Sequence, residues 1–170
     1  MTPKGMGVTR PTSGKVRQAL FNILRGRIEE GDFLDLYAGS GAVGFEAFSR
    51  GCRSATLVEN HAVAWRALSE NGRLLVARGA ETGSLNLVRQ EALEFCLAAA
   101  RMGRRFRAAF ADPPFAHDFS PIWAAMRPLL EEEGMGIVQF PTRKPPDFAA
   151  TATRIYRYGE SSLAVFDAAH

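Results

Sequence analysis

The residues with the most chemistry to offer stand together at Asp112-Pro113-Pro114-Phe115. Two consecutive prolines fix the backbone and remove two N–H donors. That leaves a rigid corner whose carbonyls can only accept hydrogen bonds. Asp112 adds a carboxylate, also an acceptor at neutral pH. Phe115 adds a flat apolar face. Acceptors beside a stacking ring suit an exocyclic amine on a planar base. The bland alternative is a strand-to-loop turn with a helix cap.

A second cluster runs from Phe33 to Gly44. Phe33-Leu34-Asp35-Leu36-Tyr37 is apolar but for Asp35 and reads as a buried parallel strand. The turn Ala38-Gly39-Ser40-Gly41 follows, then a helix from Ala42 to Arg50. Gly39 and Gly41 let the backbone turn tightly and approach a ligand. The first N–H groups of the helix point back at that ligand. Strand, glycine turn and helix make a nucleotide-type site at the carboxyl end of the first strand. A third candidate, Glu59, closes the next apolar run, Ser54 to Val58. A carboxylate there accepts hydrogen bonds from both ribose hydroxyls.

Elements must hold these groups in place. Thr12 or Ser13 caps an amphipathic helix over 13–27, with Val16, Ala19, Leu20, Ile23 and Leu24 at helical spacing. Lys15 and Arg17 lie on its other faces; with Arg10 they are candidates for phosphate contacts. His61 to Val76 reads as a helix, interrupted by Asn71. Ser84 to Val88 is a third strand, after which Gln90 and Glu91 are placed to meet an adenine amine, or Glu91 to cap the next helix. Strands follow at Arg107–Ala111 and Gly136–Phe140, with a helix expected from Asp118 to Glu133. Thr153–Tyr158 and Ser162–Phe166, joined tightly, must be antiparallel.

The whole reads as one α/β domain: a short segment over 1–12, the helix over 13–27 and a core over 33–166. With 170 residues, 46% of them apolar and 23% charged, the chain carries enough core for one soluble domain. No apolar run approaches the roughly 20 residues that span a bilayer, and Met1 to Arg10 lacks a signal-peptide core. A cytoplasmic protein is expected. A formal charge of +3 is compatible with a polyanionic partner without requiring one. Cys52 and Cys96 have no metal-like spacing and read as buried thiols, and no metal site is expected. The cluster Arg101 to Arg107 reads as a solvated loop or as a track for an RNA backbone.

Three blocks together resemble a known family: Arg10-Pro11-Thr12 with Val16 to Leu24, Leu34 to Ala47 with Ser49-Arg50-Gly51, and Asp112 to Phe115. The chain is similar to the class I S-adenosylmethionine-dependent methyltransferases, and within them to the bacterial 16S rRNA guanine-N2 methyltransferases of the RsmD type. The resemblance implies a Rossmann-like fold: a mostly parallel seven-stranded sheet with a C-terminal antiparallel hairpin and helices on both faces. It implies that Asp35, Ala38, Gly39, Ser40 and Gly41 form the cofactor loop. Glu59 would hold the ribose, and Gln90, Glu91 and Ala92 would face adenine. Asp112, Pro113, Pro114 and Phe115 would receive the target guanine, with Arg10, Thr12, Lys15 and Arg17 toward the RNA. The implied partner is 16S rRNA or the small ribosomal subunit, assembled or partly assembled, with a monomer as the default. Asn60-His61 stands where the family often has an acidic residue after the ribose-binding glutamate.

Rival readings differ in class. Gly39, Gly41 and Gly44 would also suit a nicotinamide dehydrogenase, but Asp35 and the Asp-Pro-Pro-Phe corner argue against it. A methyltransferase acting on DNA adenine or a protein glutamine shares the corner, usually with Asn first. A non-catalytic RNA-binding module would not need Asp35, Glu59 and Asp112 intact.

Overall fold

The computed structural model describes residues 13–79, 85–114 and 120–168. The segment over 1–12, with Arg10 and Thr12, lies outside the described residues, as does Phe115. Among those described, seven strands form one sheet in the order β3-β2-β1-β4-β5-β7-β6. The strands are β1 (Asp32–Leu36), β2 (Ser54–Val58), β3 (Leu85–Val88), β4 (Phe106–Ala111), β5 (Leu130–Pro141), β6 (Arg154–Tyr158) and β7 (Ser161–Asp167). The first five are parallel; β7 runs antiparallel to both β5 and β6. The mostly parallel sheet with a closing hairpin expected from the pattern is therefore present.

Two core layers cover the sheet. One packs Leu34, Leu36, Ala109, Ala111 and Val138 under α4 (Ala92–Arg101) and α5 (Ser120–Met126). The other packs Phe33, Leu57, Phe110 and Ile137 under α1 (Gly14–Leu24) and the side of α2 (Ala42–Ser49). Alternate residues of β1 thus go to opposite layers, so both faces are buried and the strand reads as a nearly continuous apolar run. α3 (Ala62–Ala77) contributes buried Leu68. Covering Phe33, Leu34 and Leu36 stabilises the fold by about 1.5–3 kcal/mol per side chain. No helix among the described residues is long and apolar enough to cross a membrane.

Two boundaries depart from the sequence pattern. The helix expected over 13–27 ends at Leu24, because Arg25 is extended and Gly26 takes a φ of 74°. Its start matches: the Ser13 side chain accepts from the Val16 N–H at 3.4 Å. The helix expected from Asp118 to Glu133 is replaced beyond Met126 by a 3-10 turn over Arg127–Leu129, and β5 begins at Leu130. Pro128 is the cause, since its ring would strike the carbonyl four residues back and it offers no N–H. The residues expected to face inward do so nonetheless: Ile122, Met126, Leu129 and Leu130 are all buried. β5 also starts earlier than Gly136. Phe106 registers with Leu130 and Ala108 with Met135, so an irregularity lies between the two pairings.

Candidate active site

The register of the sheet brings the candidates to one edge. Leu36 pairs with Val58 on one side and Ala111 on the other, and Val58 pairs with Val88. The residues that follow these strand ends, Tyr37, Glu59, Arg89 and Asp112, therefore stand side by side at the carboxyl edge. Backbone bonds carry the ladder past the strands: Ala38 N–H to Val58 O at 3.0 Å, Glu59 N–H to Val88 O at 3.1 Å and Asp112 N–H to Leu36 O at 3.4 Å.

The glycine turn is held from several sides. Asp35 is 1% exposed, and its Oδ2 accepts from the Gly44 N–H at 2.8 Å, tying β1 to the first turn of α2. Glu59 is also buried. Its Oε2 accepts from the Gly39 N–H at 2.8 Å and its Oε1 from the His61 N–H at 2.7 Å. A carboxylate has about four lone-pair sites, so Glu59 keeps acceptor capacity beyond these two bonds. Asn71, which interrupts the α3 pattern, donates to the Ser40 carbonyl at 3.0 Å and pins the turn from outside.

Glycine is demanded for two different reasons here. Gly41 has a φ of 90°, and a Cβ there would meet Leu68 at 2.7 Å and run into the Phe45 ring. Gly39 has a φ of 59°, but a Cβ there would meet nothing within 4 Å. The chain at Gly39 passes beside open space, as a ligand cradle requires. Tyr37 also takes a positive φ, 62°. For a bulky residue this is strained backbone, and nothing in the sequence announces it.

Three carboxylates gather at this edge. Burial pushes the Asp35 carboxyl up to about 8, and the charges of Asp112 and Glu59 push the same way against the Gly44 hydrogen bond. Asp112 thus lies close enough to Asp35 to be felt. Asp112 is half-buried, Pro113 buried and Pro114 half-buried. Burial pushes the Tyr37 hydroxyl up to about 12, with the Glu91 charge adding to it. This places Tyr37 near Glu91. An edge crowded with acceptors suits a ligand rich in donors and carrying positive charge.

Glu91 fills the capping role open to it: its carboxylate accepts from the Glu94 N–H at 3.0 Å at the start of α4. Gln90 is half-buried beside it, and the side chain of Ala92 is in the core. Arg17 pairs with Glu46, 2.9 Å away, and Lys15 is exposed. Glu46 lies just past the first turn of α2, so this pair sets the start of α1 near the glycine turn. The arginine cluster lies elsewhere. Arg104 stacks over Phe106, the first residue of β4, at 5.1 Å, and Arg107 pairs with Glu131 at 3.2 Å. Both belong to the amino end of β4, away from Asp112. Cys52 and Cys96 are buried free thiols, raised to about 11 and about 12 chiefly by burial.

The sequence and fold have relatives. A family model described as "Conserved hypothetical protein 95" matches residues 1–167. The Bacillus subtilis protein YlbH is 29% identical over 164 residues, covering 93% of this chain and 87% of that one. The Escherichia coli K12 protein named "Ribosomal RNA small subunit methyltransferase D" is 39% identical over 106 residues; the matched stretch spans 62% of this chain and 50% of that one. Among solved structures, a hypothetical protein of Thermus thermophilus superposes with a TM-score of 0.80 at 34% identity, covering 98% of this chain and 93% of the other.

Proposed function

The chain belongs to the family described as conserved hypothetical protein 95, of the RsmD type, and from that membership and the site's geometry we propose that it is an S-adenosylmethionine-dependent rRNA methyltransferase acting on the N2 amine of a guanine in 16S rRNA. The observation that carries this reading is the register that sets Glu59 and Asp112 on either side of the glycine turn. One suits a ribose and the other an amine. The relative named for small-subunit rRNA methylation supports the substrate class.

The residues fit the cofactor. Gly39 leaves the space that a Cβ would fill, and Glu59 keeps acceptor capacity for ribose hydroxyls. Gln90 and Glu91 follow the end of β3 next to Glu59, and on this reading they would meet the adenine amine. Asp35 acts indirectly, by holding Gly44 and so the turn. When bound, S-adenosylmethionine supplies an electrophilic methyl on a sulfonium.

Guanine N2 is a poor nucleophile, because its lone pair is delocalised into the ring. The Asp112 carboxylate and the Pro113 carbonyl accept hydrogen bonds from N2–H and favour a more pyramidal nitrogen. They also stabilise the positive charge that develops there. N2 would take the methyl from the sulfonium as the S–CH3 bond opened, with that electron pair left on sulfur. N2 then loses one proton to Asp112 or solvent, so Asp112 need not be a strong base. Phe115 is the ring assigned to stack on the base and align nitrogen, methyl and sulfur. A base in structured RNA must leave its stack, or already be splayed, to enter the corner.

The test is the identity of the methylated product. Labelled S-adenosylmethionine is incubated with the protein and separately with 16S rRNA, small subunits, DNA and protein extract, and the products are hydrolysed. N2-methylguanosine from RNA is expected. Label as N6-methyladenine in DNA, or on protein glutamine, would replace this reading with the corresponding rival.

A further inference from the structure

Gln139 is 4% exposed, and its Oε1 is a buried side-chain oxygen with no hydrogen-bond partner. A buried, unpaired amide carbonyl costs stability that an apolar side chain of similar size would not. Native folds satisfy nearly all such groups, so an orphan calls for a partner that the protein itself does not supply.

Its position says which partner. Val138 registers with Ala111, so Gln139, one residue on, stands beside Asp112 at the carboxyl edge. Gln139 pairs with Leu163 and Ile137 with Val165, and these three apolar residues belong to the layer under α1. Asp35 shares that face, through its register with Phe110 and that of Phe110 with Ile137. Ala111 faces the layer under α4 and Phe110 the layer under α1, so Asp112, one residue past Ala111, falls on the side of Phe110 and Asp35. The orphan acceptor therefore neighbours the corner assigned to the exocyclic amine.

What lies next to that amine differs between the rival substrates. In guanine, the neighbour of N2 on the Watson–Crick edge is N1–H, a donor. In adenine, the neighbour of N6 is N1, an acceptor. In a glutamine side chain, it is the carbonyl oxygen, also an acceptor. An unpaired acceptor beside the amine corner matches the first, whereas for the other two the amide would have to turn over and present its Nε2. We propose that Gln139 reads the target base, its Oε1 accepting a hydrogen bond from guanine N1–H and so selecting guanine over adenine. This rests on the methyl-acceptor reading above.

The test uses 2-aminopurine, which keeps the amine at C2 but has no hydrogen on N1. An rRNA fragment spanning the methylated nucleotide is prepared with guanine or 2-aminopurine at that position. kcat/KM is measured on both for the wild-type protein, Gln139→Leu and Gln139→Met, and cofactor binding is measured alongside. Wild type prefers guanine by about tenfold or more, as expected where a missing donor leaves a buried acceptor unpaired. In both variants the preference falls toward one, mostly through a loss on guanine. A purely structural role would lower both substrates together and leave the ratio unchanged. An unchanged ratio in variants that still bind cofactor overturns the role of Gln139 alone. Wild-type protein that places no methyl on guanine N2 overturns the methyl-acceptor reading, and this inference with it.

Discussion

Asp35 shows how one buried carboxyl joins stability to the site. Its carboxyl titrates at about 8 in the fold against an ordinary value of 3.8. The folded protein thus keeps a proton that the unfolded chain releases. The sign follows: this contribution is fully present below about pH 4 and fades as pH rises through about 8. Without ligand, the thermal midpoint should therefore drift downward across that window. Asp35→Asn keeps an oxygen for the Gly44 N–H, so it should fold and show a flatter profile between those limits. Melting curves at a series of pH values check this; a slope unchanged in the variant would show that other groups set it. Single residues were unevenly legible. Asp35, Glu59 and Asp112 announce themselves as acids closing or interrupting apolar runs. Tyr37 and Gln139 do not, because a positive φ on a tyrosine and an unpaired buried amide are properties of the folded register.

At the scale of elements, β1, the glycine turn and α2 act as one part. Gly44 lies in the first turn of α2, and a Cβ there would run into the Leu57 side chain on β2. Gly44→Ala should destabilise the protein by about 1–3 kcal/mol through overpacking, read from the denaturant midpoint. Cofactor affinity should fall too, because the Asp35 anchor moves with the backbone. A variant as stable as wild type would mean that α2 slides freely on the sheet. The strands and most helices were legible from apolar runs and helical spacing. The segment after Met126 was not, since Leu129 and Leu130 continue a helical apolar pattern that Pro128 interrupts. The inward positions survive because both the turn and the strand bury the same leucines. The long β5 was hidden by its three acids, Glu131 to Glu133; Arg107 pairs with Glu131 and Glu133 there.

Across the whole molecule the candidate residues divide between the two edges of the sheet. Glu59, Asp112, Gln139 and the glycine turn occupy the carboxyl edge. The arginine cluster sits at the amino end of β4, with Arg104 and Arg107 engaged within the fold. Residue types alone left a solvated loop and an RNA track both open; in the fold Arg104 and Arg107 bond within the protein, at the end of β4 far from Asp112. Lys15 is exposed at the start of α1, two residues before the Arg17 that pairs with Glu46 of α2. Lys15→Gln should weaken RNA binding and lower the slope of log affinity against log salt by about one. Arg105→Gln should change neither. Filter binding across a salt series reads both, and a larger loss from Arg105→Gln would move the RNA to the other edge.

The most direct test of the central claim is methyl transfer to small ribosomal subunits that lack the modification, comparing wild type with Asp112→Ala. Label is expected on one guanine as N2-methylguanine. The variant should lose about a hundredfold or more in rate while binding S-adenosylmethionine as tightly as wild type. Label that persists at the wild-type rate in Asp112→Ala, or that lies on another base, would contradict it.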